Sequence, residues 1–270
     1  MEADLQRRVQ RYGWDRAAAH YEGFWAAQLR PAQDLLLDLA AAAPGERVIE
    51  LACGTGLVTF RLARQIGETG HLVATDISEK MVEAVRARAE REGVHIDAKR
   101  MDAESLAFSD ASFDLAVCAL GLMYCPDPVA AMREMHRVLV AGGRAAAAVW
   151  GARRNCGWAE IFPIVERRVA SEVCPLFFQL GNADALADAF RFAGFGQVES
   201  RRLDVVLRYK TADDAIGAAF AGGPVAMAYS RFDGPTRDEA HEEYLESIAA
   251  YRRGDGYEIP GEYVVAAASR

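Results

Sequence analysis

The chain has 270 residues, 51% of them apolar, and 31 Lys and Arg stand against 39 Asp and Glu for a net charge of −8. That apolar content excludes a disordered chain and is enough for one large domain, while the acidic balance argues against nucleic acid or an anionic membrane as the main partner. The acidic start, Met1-Glu2-Ala3-Asp4, has no apolar signal core, and no run is long enough to cross a bilayer. Five cysteines, Cys53, Cys118, Cys125, Cys156 and Cys174, lack Cys-x-x-Cys spacing and read as reduced thiols of a cytoplasmic protein.

In chain order, residues 4–30 read as a helical arm crowded with Tyr12, Trp14, Tyr21, Phe24 and Trp25. Such an arm either packs on the body or closes over a ligand as a lid. Pro31 is expected to begin a second helix to Ala42, since proline suits the first helical position. A branched apolar run from Arg47 to Leu51 predicts a buried strand; Ala52-Cys53-Gly54-Thr55-Gly56 predicts a tight turn, and Leu57, Phe60, Ala63 and Ile66 a helix stopped by Gly67. The next strand, His71 to Asp76, leads through the capping residue Ser78 to a helix over Glu79–Glu92. A short third strand spans about 96–101 and a fourth, nearly all apolar, Phe113–Ala119, as buried parallel strands require. Asp127-Pro128 opens a helix to about Val140, Gly142-Gly143 stops it, and Arg144–Trp150 is a fifth strand.

After residue 150 a helix is expected from Trp158 to about Val173, an apolar loop at Pro175–Phe178, and a helix from Asn182 to Gly194 or Gly196. A strand over Gln197–Tyr209, helices over 211–221 and 235–253, and a last strand at Tyr263–Ala268 complete the chain. Strands alternating with helices predict an α/β fold with a doubly wound, mostly parallel sheet. The two late strands suggest an antiparallel pair at the edge, with a helical insertion between them.

In such a sheet, a glycine turn at the carboxyl end of a strand is where a nucleotide-like ligand lies. Gly54 and Gly56 fill two places of a dinucleotide Gly-x-Gly-x-x-Gly, but Thr59 stands at the third and no phosphate-loop lysine follows. Glu50, just before the turn, would repel a pyrophosphate and suits a cation. S-adenosylmethionine, with a sulfonium, an ammonium and no phosphate, fits. Asp76 lies 20 residues beyond Gly56, the distance at which an acid reaches a ribose diol. Met101-Asp102-Ala103 can read adenine, carboxylate to the exocyclic amine and apolar atoms to the ring.

Taken together, Glu46–Gly56, Ala74–Met81, Met101–Asp114 and Glu134–Trp150 resemble the class I S-adenosylmethionine-dependent methyltransferases, most nearly the group of the ubiquinone/menaquinone-biosynthesis C-methyltransferases. The resemblance covers residues 46–150 and implies a seven-stranded sheet with the last strand antiparallel. It further implies a single domain over 1–270, an N-terminal lid at 1–30, a cofactor core at 46–150 and substrate-side insertions at 151–182 and 210–256. By this likeness Glu50, Ala52, Gly54 and Gly56 would line the methionine part of the cofactor and Asp76 with Ile77 would hold the ribose. Met101, Asp102 and Ala103 would frame adenine, Ala119 would lie near the methionine, Met81 would also touch the cofactor, and Tyr21 would close over it. Glu50 stands where aspartate is commoner, which alters reach but not charge.

Methyl transfer is an in-line displacement for which the cofactor supplies reactivity and the protein alignment, worth roughly 7–11 kcal/mol. A base is needed only if the acceptor is protonated; His20 and Tyr124 are the candidates, and Arg153 and Arg154 could grip an acceptor carboxylate. Metal-assisted transfer is not expected, because Gly151-Ala152-Arg153-Arg154-Asn155 puts two cations where a metal-binding acid would be needed. The expected function is therefore metal-independent transfer to a small-molecule acceptor. The alternatives are a nucleic-acid base methyltransferase, which the acidic charge and Leu122-Met123-Tyr124-Cys125-Pro126 after the fourth strand disfavour, and a cofactor-binding protein without catalysis.

Overall fold

A computed structural model describes residues 2–169 and 176–270. The expected continuation of a helix to Val173, and Cys174 and Pro175, lie outside the described residues. The elements are α1 (Ala3–Ala40), β1 (Arg47–Leu51), α2 (Thr59–Ile66), β2 (His71–Asp76), α3 (Glu79–Glu92), β3 (Asp97–Arg100), β4 (Phe113–Ala119), α4 (Pro128–Val138) and β5 (Leu139–Trp150). They continue with α5 (Ile161–Glu166), α6 (Ala185–Phe192), β6 (Gly196–Tyr209), α7 (Ala212–Ile216), α8 (Ala226–Tyr229), α9 (Gly234–Ser247), β7 (Arg252–Arg253) and β8 (Gly256–Ser269).

The strands form one sheet in the order β3-β2-β1-β4-β5-β8-β6. The first five run parallel, and β8 lies antiparallel between β5 and β6. This is the expected architecture with one addition, the two-residue β7 that folds back on β8. The central strands carry branched or small apolar residues because both faces are covered: Val48, Ile49, Leu115, Ala116, Val117 and Ala145–Ala147 are all fully buried. Parallel pairing of β1 with β2 and β4 brings the loops after Leu51, Asp76 and Ala119 to one rim of the sheet.

Several boundaries differ from those expected. Pro31 does not start a helix but sits inside the 38-residue α1. Trp25, Leu29, Ala32, Leu36, Leu37 and Ala40 are all buried along it, and that continuous packing offsets the backbone bond proline removes. Gly142-Gly143 does not merely stop α4. β5 starts already at Leu139, and its pairing with β4 shifts register between Phe113 and Leu115, so the glycines form a bulge with Gly142 at φ 77°. The helix expected over 211–221 is α7 followed by one wide turn at Gly217–Ala221. A Cβ at Gly217 would lie 2.3 Å from the Phe24 ring, so this backbone packs directly on α1. The helix expected to 253 ends at Ser247, and β8 begins seven residues before Tyr263.

Candidate active site

The turn after β1 takes left-handed backbone at Ala52 (φ 53°), Gly54 (φ 55°) and Gly56 (φ 93°). At Gly56 any side chain would be strained and would meet Phe60 at 2.8 Å. Across from it, a Cβ on Gly121 would lie 2.3 Å from that of Ala52, so the loop after β4 runs against the loop after β1.

Asp76 closes this rim. Its Oδ2 accepts the Gly54 backbone N–H at 2.9 Å and its Oδ1 that of Ser78 at 2.8 Å. Burial pushes its carboxyl up to about 6, against the pull of those two donors and with Asp15 adding to the rise. Glu50 lies deeper, 1% exposed. Burial pushes it up to about 8, and its Oε2 has no hydrogen-bond partner.

The first half of α1 crosses the same rim. Arg7 forms ion pairs with Asp102 (Nε to Oδ2, 2.9 Å), Asp4 and Glu104. The Gln6 amide donates to the Tyr124 carbonyl at 3.3 Å. Asp15 accepts from the Ser78 hydroxyl at 2.6 Å and from the Lys80 backbone at 3.2 Å, at the start of α3. Trp14 packs edge-on against both Tyr21 and Tyr124.

Between α1 and the strand ends lies a cavity partly open to solvent, with about 980 Å³ free of protein atoms when that open space is counted. Of the residues singled out as cofactor-binding, Tyr21, Ala52, Gly54, Asp76, Ile77, Met81, Met101, Asp102, Ala103 and Ala119 line it. Glu50 and Gly56 do not: Glu50 is buried beneath the turn, and Gly56 is turned toward Phe60 and Val85. Tyr124 lines the cavity, whereas His20 is exposed to solvent on α1 and does not, which removes it as a base. Arg153 and Arg154 are also exposed and border a separate surface recess, where Arg153 pairs with Glu160 at 3.4 Å, so they do not face an acceptor in the cavity. Asp127 caps α4, accepting from the Ala130 backbone at 2.9 Å. Among the described residues no three His, Cys, Asp or Glu side chains gather as a metal site.

In the far half of the cavity the sequence pointed only to Trp14 and Trp25, as aromatics of the arm, and to Tyr124. Trp14, Tyr124, Phe177, Trp158, Trp150 and Trp25 line it in an unbroken series of ring contacts. Gly222, Gly223 and Pro224 complete the wall. Trp150 stands at the carboxyl end of β5, where the general rule for open α/β sheets would have placed it. Trp158, Phe177 and Arg7 carry no such positional signal.

Residues 48–143 match the family model described as a methyltransferase domain. The chain is a class I S-adenosylmethionine-dependent methyltransferase. This methyltransferase is 29% identical over 256 residues, 89% of its length and 91% of the relative's, to the nocamycin O-methyltransferase of Saccharothrix syringae. It is 36% identical over 110 residues to the ubiquinone/menaquinone biosynthesis C-methyltransferase of Shewanella frigidimarina; that match covers 40% of this chain and 44% of the relative, less than half its length. In fold it is similar to the solved structure of phosphoethanolamine N-methyltransferase 2 from Haemonchus contortus in complex with phosphomonomethylethanolamine and S-adenosylhomocysteine. The TM-score is 0.61 at 16% identity, with 95% of this chain and 57% of that one covered. Among the described residues no helix of the methyltransferase is long and apolar enough to cross a membrane.

Proposed function

We propose that this methyltransferase acts on a small-molecule acceptor held in the aromatic half of the cavity, beside a cofactor held in the half walled by Ala52, Gly54, Asp76, Met101, Asp102 and Ala103. The observation that carries this reading is the continuity of the two halves in one space roofed by α1. A polymer would need an open basic groove, and the chain is acidic overall. The likeness to an O-methyltransferase along nearly the whole chain supports the same class of acceptor.

The donor set fits S-adenosylmethionine. Asp76 presents a carboxylate already fixed by two backbone N–H groups, suited to a pair of ribose hydroxyls. Glu50, beneath the turn, has one buried oxygen without a partner and, when ionised, would set negative charge below the methionine part of the cofactor. When bound, the cofactor supplies an electrophilic methyl on a sulfonium. The chain's own part is to orient and to exclude water: α1 covers the rim through Arg7 and Asp15, and the ring wall keeps the far half dry. Residues 1–30 are read here as the lid. Trp158 and Phe177 from one insertion and Gly222–Pro224 from the other serve the acceptor side.

Transfer is read as metal-independent. No carboxylate stands at residues 151–155 after β5, and Asp127 is already engaged as a helix cap. The test is mass spectrometry of the protein incubated with methyl-labelled S-adenosylmethionine and either a panel of hydroxylated ring compounds or a mixed oligonucleotide. Label is expected in the small molecules. Label in the oligonucleotide alone would overturn the reading.

A further inference from the structure

The acceptor half is unusual in its polar inventory. Among the described residues that line it there is no carboxylate, imidazole, lysine or arginine; Arg7, Asp76 and Asp102 all belong to the cofactor half. Aromatic rings surround the space, which by itself would suit either a flat ring compound or an alkylated ammonium ion. Two further atoms separate these options. The indole Nε1 atoms of Trp25 and Trp158 are buried and have no hydrogen-bond partner. The two rings are neighbours, with centroids 6.2 Å apart. Trp25 Nε1 lies beside Gly222 of the cavity wall, where an added methyl carbon would come within 3.4 Å of it.

An indole N–H only donates. A buried donor without an acceptor is costly, and a ligand that brings an acceptor recovers the loss. An ammonium ion brings none and would set its charge against the positive edge of each N–H. An oxygen on a flat ring meets both requirements, its ring stacking on the wall and its lone pairs accepting from the indoles.

We propose that the aromatic half is an acceptor subsite for a planar ring compound, neutral or anionic, carrying an oxygen that accepts from the N–H groups of Trp25 and Trp158. This rests on the reading that the cofactor occupies the other half. Trp25 and Trp158 are thereby specificity-determining residues, and the subsite discriminates against cationic acceptors.

The test is equilibrium dialysis of the protein saturated with S-adenosylhomocysteine against 2-naphthol, naphthalene and phenyltrimethylammonium. Wild type is expected to bind 2-naphthol about tenfold more tightly than naphthalene, a difference of about 1.4 kcal/mol, and the cation most weakly. In Trp25→Phe and Trp158→Phe, which keep a ring and remove the N–H, the ratio of naphthol to naphthalene affinity is expected to fall toward one, with the affinity for S-adenosylhomocysteine unchanged. A ratio near one in wild type, a ratio that both variants leave intact, tightest binding of the cation, or no binding of any probe would overturn the proposal. The wild-type comparison decides even if a variant fails to fold. A protein that does not bind S-adenosylhomocysteine at all would fail before any probe is added, and would overturn the cofactor reading itself.

Discussion

Asp76 at the end of β2 receives the backbone N–H of Gly54 in the turn after β1, at 2.9 Å across 22 residues of chain. One carboxylate thus ties two strand ends together and is held in place before any ligand arrives, so that little ordering cost is left for binding. Its other oxygen is fixed by Ser78, whose hydroxyl in turn donates to Asp15 of α1. Strand ends, turn and arm form one connected hydrogen-bonded set.

Glu50 should make the protein less stable as pH rises. Its carboxyl has an ordinary value of 4.5 and is pushed up to about 8 by burial, with Asp76 adding to the rise. Between those values the folded chain holds a proton that the unfolded chain has lost. The stabilisation is therefore fully present below about 4.5 and is lost as pH climbs to about 8. Glu50→Gln stays neutral throughout. Its melting temperature should match wild type at low pH and exceed it by roughly 5 °C near the upper end of that window. Its affinity for S-adenosylhomocysteine should fall, because glutamine has no proton to release and cannot become a carboxylate when an ammonium arrives. A difference in melting temperature that stays flat between about 4.5 and 8 would mean that Glu50 is already ionised in the folded protein.

The arm should be separable from the core, but at a shorter length than its sequence suggests. Trp25 and Leu29 are buried, and Gln28 both donates to and accepts from the Arg208 backbone on β6. Truncation up to residue 16 removes Arg7 and Asp15 and spares these contacts. A loss of several degrees in melting temperature is expected, because the Arg7 pairs with Asp102 and Glu104 are largely buried and Gln6 and Gln10 are lost with them. Dissociation of S-adenosylhomocysteine in stopped flow should speed up by an order of magnitude or more. A truncated chain that does not fold would show that the whole of α1 is structural.

Turnover should take its pH dependence from the acceptor. Cys125 beside the acceptor half is pushed well above its ordinary value by burial, and among the described residues no histidine or carboxylate lines that half. With saturating cofactor, kcat for a series of substituted phenols should rise through an inflection that moves with each phenol's own pKa. An inflection that stays near neutrality whichever phenol is used would reveal an enzyme base.

Excess EDTA should leave turnover unchanged, and added Mg²⁺ should not raise it. Asp127 after β4 is held as the cap of α4, and residues 151–155 after β5 offer no carboxylate for a divalent cation. Loss on chelation, restored by Mg²⁺, would contradict this.

What the sequence disclosed follows from how local its signals are. The strand-turn-helix at Glu50–Gly56, the acid at Asp76 and the pair Met101-Asp102 are each written in a few consecutive residues, and the parallel sheet brings them to one rim. Glu50 shows the limit of that reading: its position marks it for the ligand, but its side chain lies under the turn and not in the cavity wall. The acceptor half is assembled from α1, the end of β5 and two insertions distant in sequence, and Trp158 and Phe177 meet there only through tertiary packing. Arg7 sits in a helix whose apolar pattern is weak, and only the fold brings it to Asp102. Pro31 was misleading because its local preference for a helix start is overridden by the buried face of α1.

The most direct measurement is calorimetric titration of S-adenosylhomocysteine into wild type, Asp76→Ala and, as a surface control, Asp110→Ala, whose side chain is 73% exposed. Loss of a charged acceptor for two hydroxyls is worth about 1.5–3 kcal/mol, so the Asp76 variant should bind roughly 10- to 150-fold more weakly. The control should bind like wild type, and thermal melts should show that both variants remain folded. Unchanged affinity in a folded Asp76→Ala protein would mean that the cofactor does not lie where β1 and β2 end.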